Sequence, residues 1–119
     1  MGALSSYFKK VAEDDESRHA DNIQRWSESV AGAVRIADAP RRQQVRVAGV
    51  VRRMTVFPEQ GREHLELEVY DGTGEVNAVL MGRRKIGGVT LATHVVIDGV
   101  IGEHHGELRM MNPKLDVRG

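Results

Sequence analysis

Val45-Arg46-Val47-Ala48-Gly49-Val50-Val51 alternates around a central glycine. A period of two over this length reads as a strand, and a glycine inside a strand marks a bulge or a sharp bend. Val45, Val47, Gly49 and Val51 share one face, and Arg46, Ala48, Val50 and Arg52 share the other. The strand is expected to begin at Gln44, run on to Val56 and end at Pro58. A long first strand bent at its centre favours a small closed barrel over a flat sheet, because closure needs curvature.

Working outward, Leu65, Leu67 and Val69 alternate with Glu66 and Glu68 as a second, half-buried strand. Asp71-Gly72-Thr73-Gly74 then makes a tight turn. It is not read as a phosphate loop, which needs a helix N-terminus behind it; here a strand comes next. Val76, Ala78 and Leu80 mark the third strand, His94 to Ile101 the fourth, with Gly99 inside it, and Leu108 to Met111 the fifth. Glu59-Gln60-Gly61-Arg62 and Gly102-Glu103-His104-His105-Gly106 are the loops of two hairpins, and Asn112-Pro113 stops the last strand. The expected fold class is mainly β, a five-stranded barrel over residues 40–119.

Residues 1–39 have a helical period instead. Leu4, Tyr7, Phe8 and Val11 fall on one face, as do Ile23, Trp26 and Val30, and the acidic run Glu13-Asp14-Asp15-Glu16 is expected to interrupt the two stretches. The Trp26 stripe is read as packing on its own domain, and the more distal stripe as a surface for a second copy or a protein partner. Residues 34–40 form a connector ending at Pro40.

Composition narrows the function. The 119 residues carry 17 basic and 17 acidic side chains and no cysteine. Disulfides, thiolate metal sites and a cysteine nucleophile are therefore excluded. Zero net charge argues against a strong sequence-independent grip on a polyanion. The charge is uneven: residues 1–39 hold five Lys/Arg and seven Asp/Glu, residues 40–119 twelve and ten. No secretory signal or membrane-spanning run is visible, so a cytoplasmic location is the default expectation. No catalytic motif is present, and Glu66 and Glu68 are alternate outward positions on one strand rather than an acid–base pair. His104-His105, with His64 and His94, lack metal-site spacing, so neither metal nor cofactor is expected.

The first-strand heptapeptide resembles the opening strand of the OB fold. Leu65-Glu66-Leu67-Glu68-Val69-Tyr70-Asp71-Gly72-Thr73-Gly74-Glu75-Val76 is similar to its second strand, turn and third strand. Val95 to Ile101, with Leu108-Arg109-Met110-Met111-Asn112-Pro113 after it, resembles the end of the same module in the wedge domain of RecG-type helicases. Anticodon-binding domains of some aminoacyl-tRNA synthetases share the first half. With its helical head the whole chain looks like the small stand-alone OB-fold proteins of actinobacteria. The connection between strands three and four shows no helix, where that fold usually has one.

The resemblance implies a non-catalytic module that binds single-stranded or structured nucleic acid. On that expectation Arg46, Arg52 and Arg53 on the first strand and Arg83, Arg84 and Lys85 after the third would hold phosphates, with Arg41 and Arg42 nearby. Phe57 and Tyr70 would stack on bases, and Asn77 would add a polar contact. The competing expectation is a protein-interaction adaptor in which the barrel is scaffold and the N-terminal helices bind a partner. The arginines are otherwise cross-strand ion-pair partners of carboxylates such as Glu66 and Glu68.

Overall fold

The computed structural model describes residues 2–118, with side chains from Glu16 onward. One helix, α1 (Gly2–Ser29), precedes a short 3-10 turn at Ile36–Asp38 and six strands. These are β1 (Gln44–Glu59), β2 (Arg62–Tyr70), β3 (Glu75–Met81), β4 (His94–His104), β5 (Glu107–Met111) and β6 (Lys114–Arg118). Neighbours run in the order β1-β2-β3-β5-β4-β6, and β1 also pairs with β4. The pairings of β1 to β5 therefore form a complete circuit, with β3 and β5 parallel and the other pairs antiparallel.

β1 makes this circuit possible by serving two partners. Gln44–Val50 lies against β4, and Val50–Glu59 lies against β2. At the changeover a bulge inserts Arg52, and Gly49 passes so close to β2 that an added Cβ would lie 2.5 Å from the carbonyl oxygen of Tyr70. The glycine in mid-strand thus answers to a close approach of backbone, and the irregularity in β1 falls three residues later, at Arg52. Both hairpins are longer than the sequence indicates. Gln60-Gly61 and His105-Gly106 are two-residue turns with positive φ at both positions, which match the right-handed twist of the flanking strands. Pro58 lies within β1, opposite Glu63, near the end of the β1–β2 hairpin.

Three expectations are corrected. α1 runs without a break through Glu13–Glu16. A solvated acidic run does not end a helix, since glutamate is a good helix former and needs no buried face. Asn112-Pro113 is a corner rather than a stop: Asn112 takes φ 48°, and the chain re-enters the sheet as β6 alongside β4. The stretch around residue 36 is also more than a connector, because Ile36 and Ala39 are buried in the same core as Val47, Leu67, Ile97 and Met110.

One buried carboxylate helps to fix the head to the sheet. Asp71, 1% exposed, accepts the backbone N–H groups of Thr73 and Gly74 and the Thr73 hydroxyl at Oδ1, and the Ile36 N–H at Oδ2. Thr73 Oγ1 in turn accepts the Ala37 N–H at 3.1 Å. The next residue, Gly72, has φ +90° and sits so near α1 that a Cβ would meet the Ala20 carbonyl oxygen at 2.6 Å. Ile23 and Ser27 are buried, and the Trp26 ring meets His94 edge-on at 4.5 Å between centroids. The second half of α1 packs on its own barrel, as its stripe predicts. The Leu4, Tyr7, Phe8, Val11 stripe lies outside the residues whose side chains are described. Among the described residues no helix is long and apolar enough to cross a membrane.

Removing the Asp71 carboxylate leaves several donors without acceptors. Asp71→Ala is expected to lower the unfolding free energy by about 3 kcal/mol in urea titration, and Thr73→Ala by about 1 kcal/mol. Gly49→Ala is expected to cost about 2 kcal/mol or more, because its Cβ meets backbone that cannot swing aside.

Candidate functional site

The outer face of β2, β3 and β5 carries an open cleft of about 410 Å³. Its walls are the two long hairpins: Phe57, Pro58 and Glu59 from the end of β1, and His104 and Glu107 from the β4–β5 turn. Its floor is Glu66 on β2, Asn77 on β3 and Arg109 on β5. Strand register sets that floor. One rung crosses the sheet from Arg53 through Glu68 and Asn77 to Arg109, each residue opposite the next. A second depression of about 420 Å³ shares His104 and Arg109 with the first and extends to Arg42, Val100 and Met111. The two hollows meet at Arg109 and His104.

Individual contacts hold the cleft in shape. The Asn77 amide Nδ2 donates to Glu107 Oε2 at 3.0 Å. Phe57 lies against the ring of His64, with centroids 5.5 Å apart. His64 is 2% exposed, and its Nδ1 accepts the Gly82 N–H at 3.1 Å, which leaves its proton on Nε2, towards Glu59. Arg42 has φ 61° and is anchored through its own N–H to the Ile101 carbonyl at 2.7 Å. Neither Arg42 nor Arg109 has a carboxylate partner among the described residues, and Glu66 likewise has no ion pair or hydrogen bond.

The nine residues singled out from sequence separate into different places. Phe57 and Asn77 line the cleft. Arg53 is at its edge and pairs with Glu68 at 3.6 Å. Arg52 reaches Glu75 at 2.8 Å and lies over the Tyr70 ring at 4.0 Å, in a hollow beside α1. Arg46 faces Asp98 on β4 at 2.8 Å and also donates to the Ala31 carbonyl, so it ties the end of the helical head to the barrel. The Asp98 hydrogen bond, then its charge, holds the Arg46 guanidinium above the ordinary arginine value. Arg84 is engaged by Glu63, while Arg83 and Lys85 stay exposed without a carboxylate partner among the described residues. That loop borders the Phe57 end of the cleft through Gly82, on His64, and Arg84, on Glu63.

Sequence reading missed Arg109, Glu107 and Arg42 as one group. Arg109 and Asn77 become neighbours only through the parallel β3–β5 pair, and no local pattern announces a pairing between strands so far apart in the chain. Among the described residues no group of three His, Asp or Glu is placed to hold a metal ion.

Glu68 is the titrating group this face perturbs. Burial, and then the charge of Glu75, raise its carboxyl above the ordinary glutamate value; Arg53 and Arg52 oppose the shift. The folded state therefore binds this proton more tightly than the unfolded chain. Its contribution is intact below the ordinary glutamate value and is lost as pH rises through the raised one. Glu68→Gln is expected to stabilise the protein at pH 7 by roughly 0.5 kcal/mol, a Tm gain of about 3 °C. That gain should shrink to nothing as pH is lowered towards the range of a free glutamate, monitored by calorimetry.

No protein-family model matches the chain, and no curated protein matches it either, so the chemistry of the cleft is the guide to its ligand.

Proposed function

We propose that the protein is a non-catalytic OB-fold module that binds single-stranded nucleic acid across β2, β3 and β5. The observation that carries this reading is the position of the cleft. OB folds take oligomeric ligands on the face of strands two and three, between the β1–β2 and β4–β5 loops. The cleft opens on that face, walled by those two hairpins. The circuit of five strands, with β3 parallel to β5, is consistent with the same barrel.

Arg109 and Arg42 are the cations that meet the bound strand, because both are unpaired among the described residues and line the two joined hollows. Phe57 and His104 give faces on which bases stack, a contribution that tolerates any base. Arg46, Arg52, Arg53 and Arg84 contribute less than their number implies, since each is already matched to a carboxylate. Arg83 and Lys85 extend the path beyond Phe57 for a longer strand.

One observation favours a second reading. Three carboxylates, Glu59, Glu66 and Glu107, face one arginine in the first cleft. A cationic peptide segment would suit that balance, which is the adaptor alternative. The two readings respond oppositely to one substitution. With labelled single-stranded DNA and RNA, two or three phosphate contacts give a slope of log K against log salt of about −1.4 to −2.1. Arg109→Glu should weaken that binding about ten-fold or more, the loss of an ionic contact plus a new repulsion. A cationic peptide would instead bind Arg109→Glu more tightly. Failure of any oligonucleotide to bind at low salt would overturn the nucleic-acid reading.

A further inference from the structure

We propose that the cleft selects guanine among the bases of a single strand, an inference that rests on the nucleic-acid reading above. The observation behind it is a carboxylate and a guanidinium that share one cleft without satisfying each other. Glu66 and Arg109 both line the floor, yet neither has an ion-pair or hydrogen-bond partner among the described residues. Glu66 is also half-buried, in the middle of β2 between Leu65 and Leu67. No protein group donates to its oxygens and neither is sealed away from solvent, so both are open to a ligand's donors.

The rest of the floor has the same bias. Asn77 spends its amide nitrogen on Glu107, at 3.0 Å, so its free group for a ligand is chiefly the carbonyl oxygen. The bound group must therefore bring adjacent donors for Glu66 and, on another edge, acceptors for Arg109. Guanine fits both demands. Its N1–H and N2 amine lie side by side, matched to the two oxygens of one carboxylate. Its O6 and N7 are matched to an arginine fork. Adenine and cytosine each bring one amine, next to a ring acceptor that would face the carboxylate. Thymine and uracil bring a single N–H flanked by two carbonyl oxygens, the worst match to an acceptor-rich floor. Carboxylates that would repel phosphates can thus read a base edge, provided the backbone runs along the rim and the base points in.

The test compares nine-residue oligothymidylates carrying one central thymine, guanine or inosine, titrated against the full chain by fluorescence anisotropy. Inosine lacks only the N2 amine. Guanine is expected to bind roughly ten-fold tighter than thymine, in line with one good bidentate base contact. Inosine should lose most of that gain. Glu66→Gln, which keeps size and shape, should bring guanine and inosine together, read as the ratio of their affinities within the variant. Equal affinity for all three oligomers, or a guanine preference that survives Glu66→Gln, overturns the base assignment and leaves nucleic-acid binding standing. Absence of binding to every oligomer overturns both.

Discussion

The fold depends on how closely one strand passes another. Gly49 of β1 crosses the end of β2 with no room for a side chain, because a Cβ there would lie within 3 Å of both the carbonyl carbon and oxygen of Tyr70. That approach lets β1 leave β4 and join β2, which closes the circuit of strands. The same crossing fixes the turn immediately after Tyr70. Asp71 is carried into the interior, where its carboxylate gathers donors from its own turn and from Ile36. Gly72 then meets α1 through the backbone. A steric limit at residue 49 is thus passed along three residues of β2 and its turn to the seating of the helical head. Burial of a carboxylate is tolerated there because its acceptor capacity is filled by backbone N–H groups and one hydroxyl.

The zero net charge of the chain hides a sorting of charges in space. Where strands lie in register, arginines meet carboxylates, Arg46 with Asp98 and Arg53 with Glu68, and ahead of β1 Arg41 meets Glu103. These pairs are more than a third exposed on the arginine side, so they contribute modestly to stability and mainly withdraw cations from those open to a ligand. Of the described cations without a carboxylate partner, Arg109 and Arg42 line the hollows, where the unmatched Glu66 also lies. A surface sorted in this way suits selective recognition in one small area, with limited general attraction for polyanions.

Much of the sheet was legible because strands announce themselves by period. The five strand cores, the special place of Gly49 and the turn at Asp71 arise from alternation and glycine placement. Strand β6 was not legible: Pro113 after Asn112 reads as punctuation. Only the three-dimensional contact, in which Asn112 Oδ1 accepts the Met81 N–H at 2.9 Å, shows the pair to be a corner. The continuous helix was hidden by an acidic run that carries no apolar stripe. At the site, Phe57 and Asn77 could be named from their outward positions. Arg109 could not, since its neighbours depend on a parallel pairing between segments separated by β4. Nor could the fate of the arginines be read, because an ion pair such as Arg46–Asp98 is a property of register.

The corner at Asn112 matters to the cleft as well. β5 is only five residues long, and so short a strand would ordinarily be a weak support for a binding residue. Here it is held against β3 at both ends. At one end Asn77 donates to Glu107; at the other the Asn112 N–H donates to the Val79 carbonyl at 2.7 Å while its side chain accepts from Met81. Arg109 stands between these fixed points, opposite Asn77 and next to the fully buried Met110 in sequence. Its backbone is therefore set before any ligand arrives, and so is that of Glu66, two strands across. Neither side chain forms an ion pair in the folded chain. On the proposed reading both stay available to a ligand that bridges them, and selectivity would come from a small preorganised face rather than from a large or strongly charged surface.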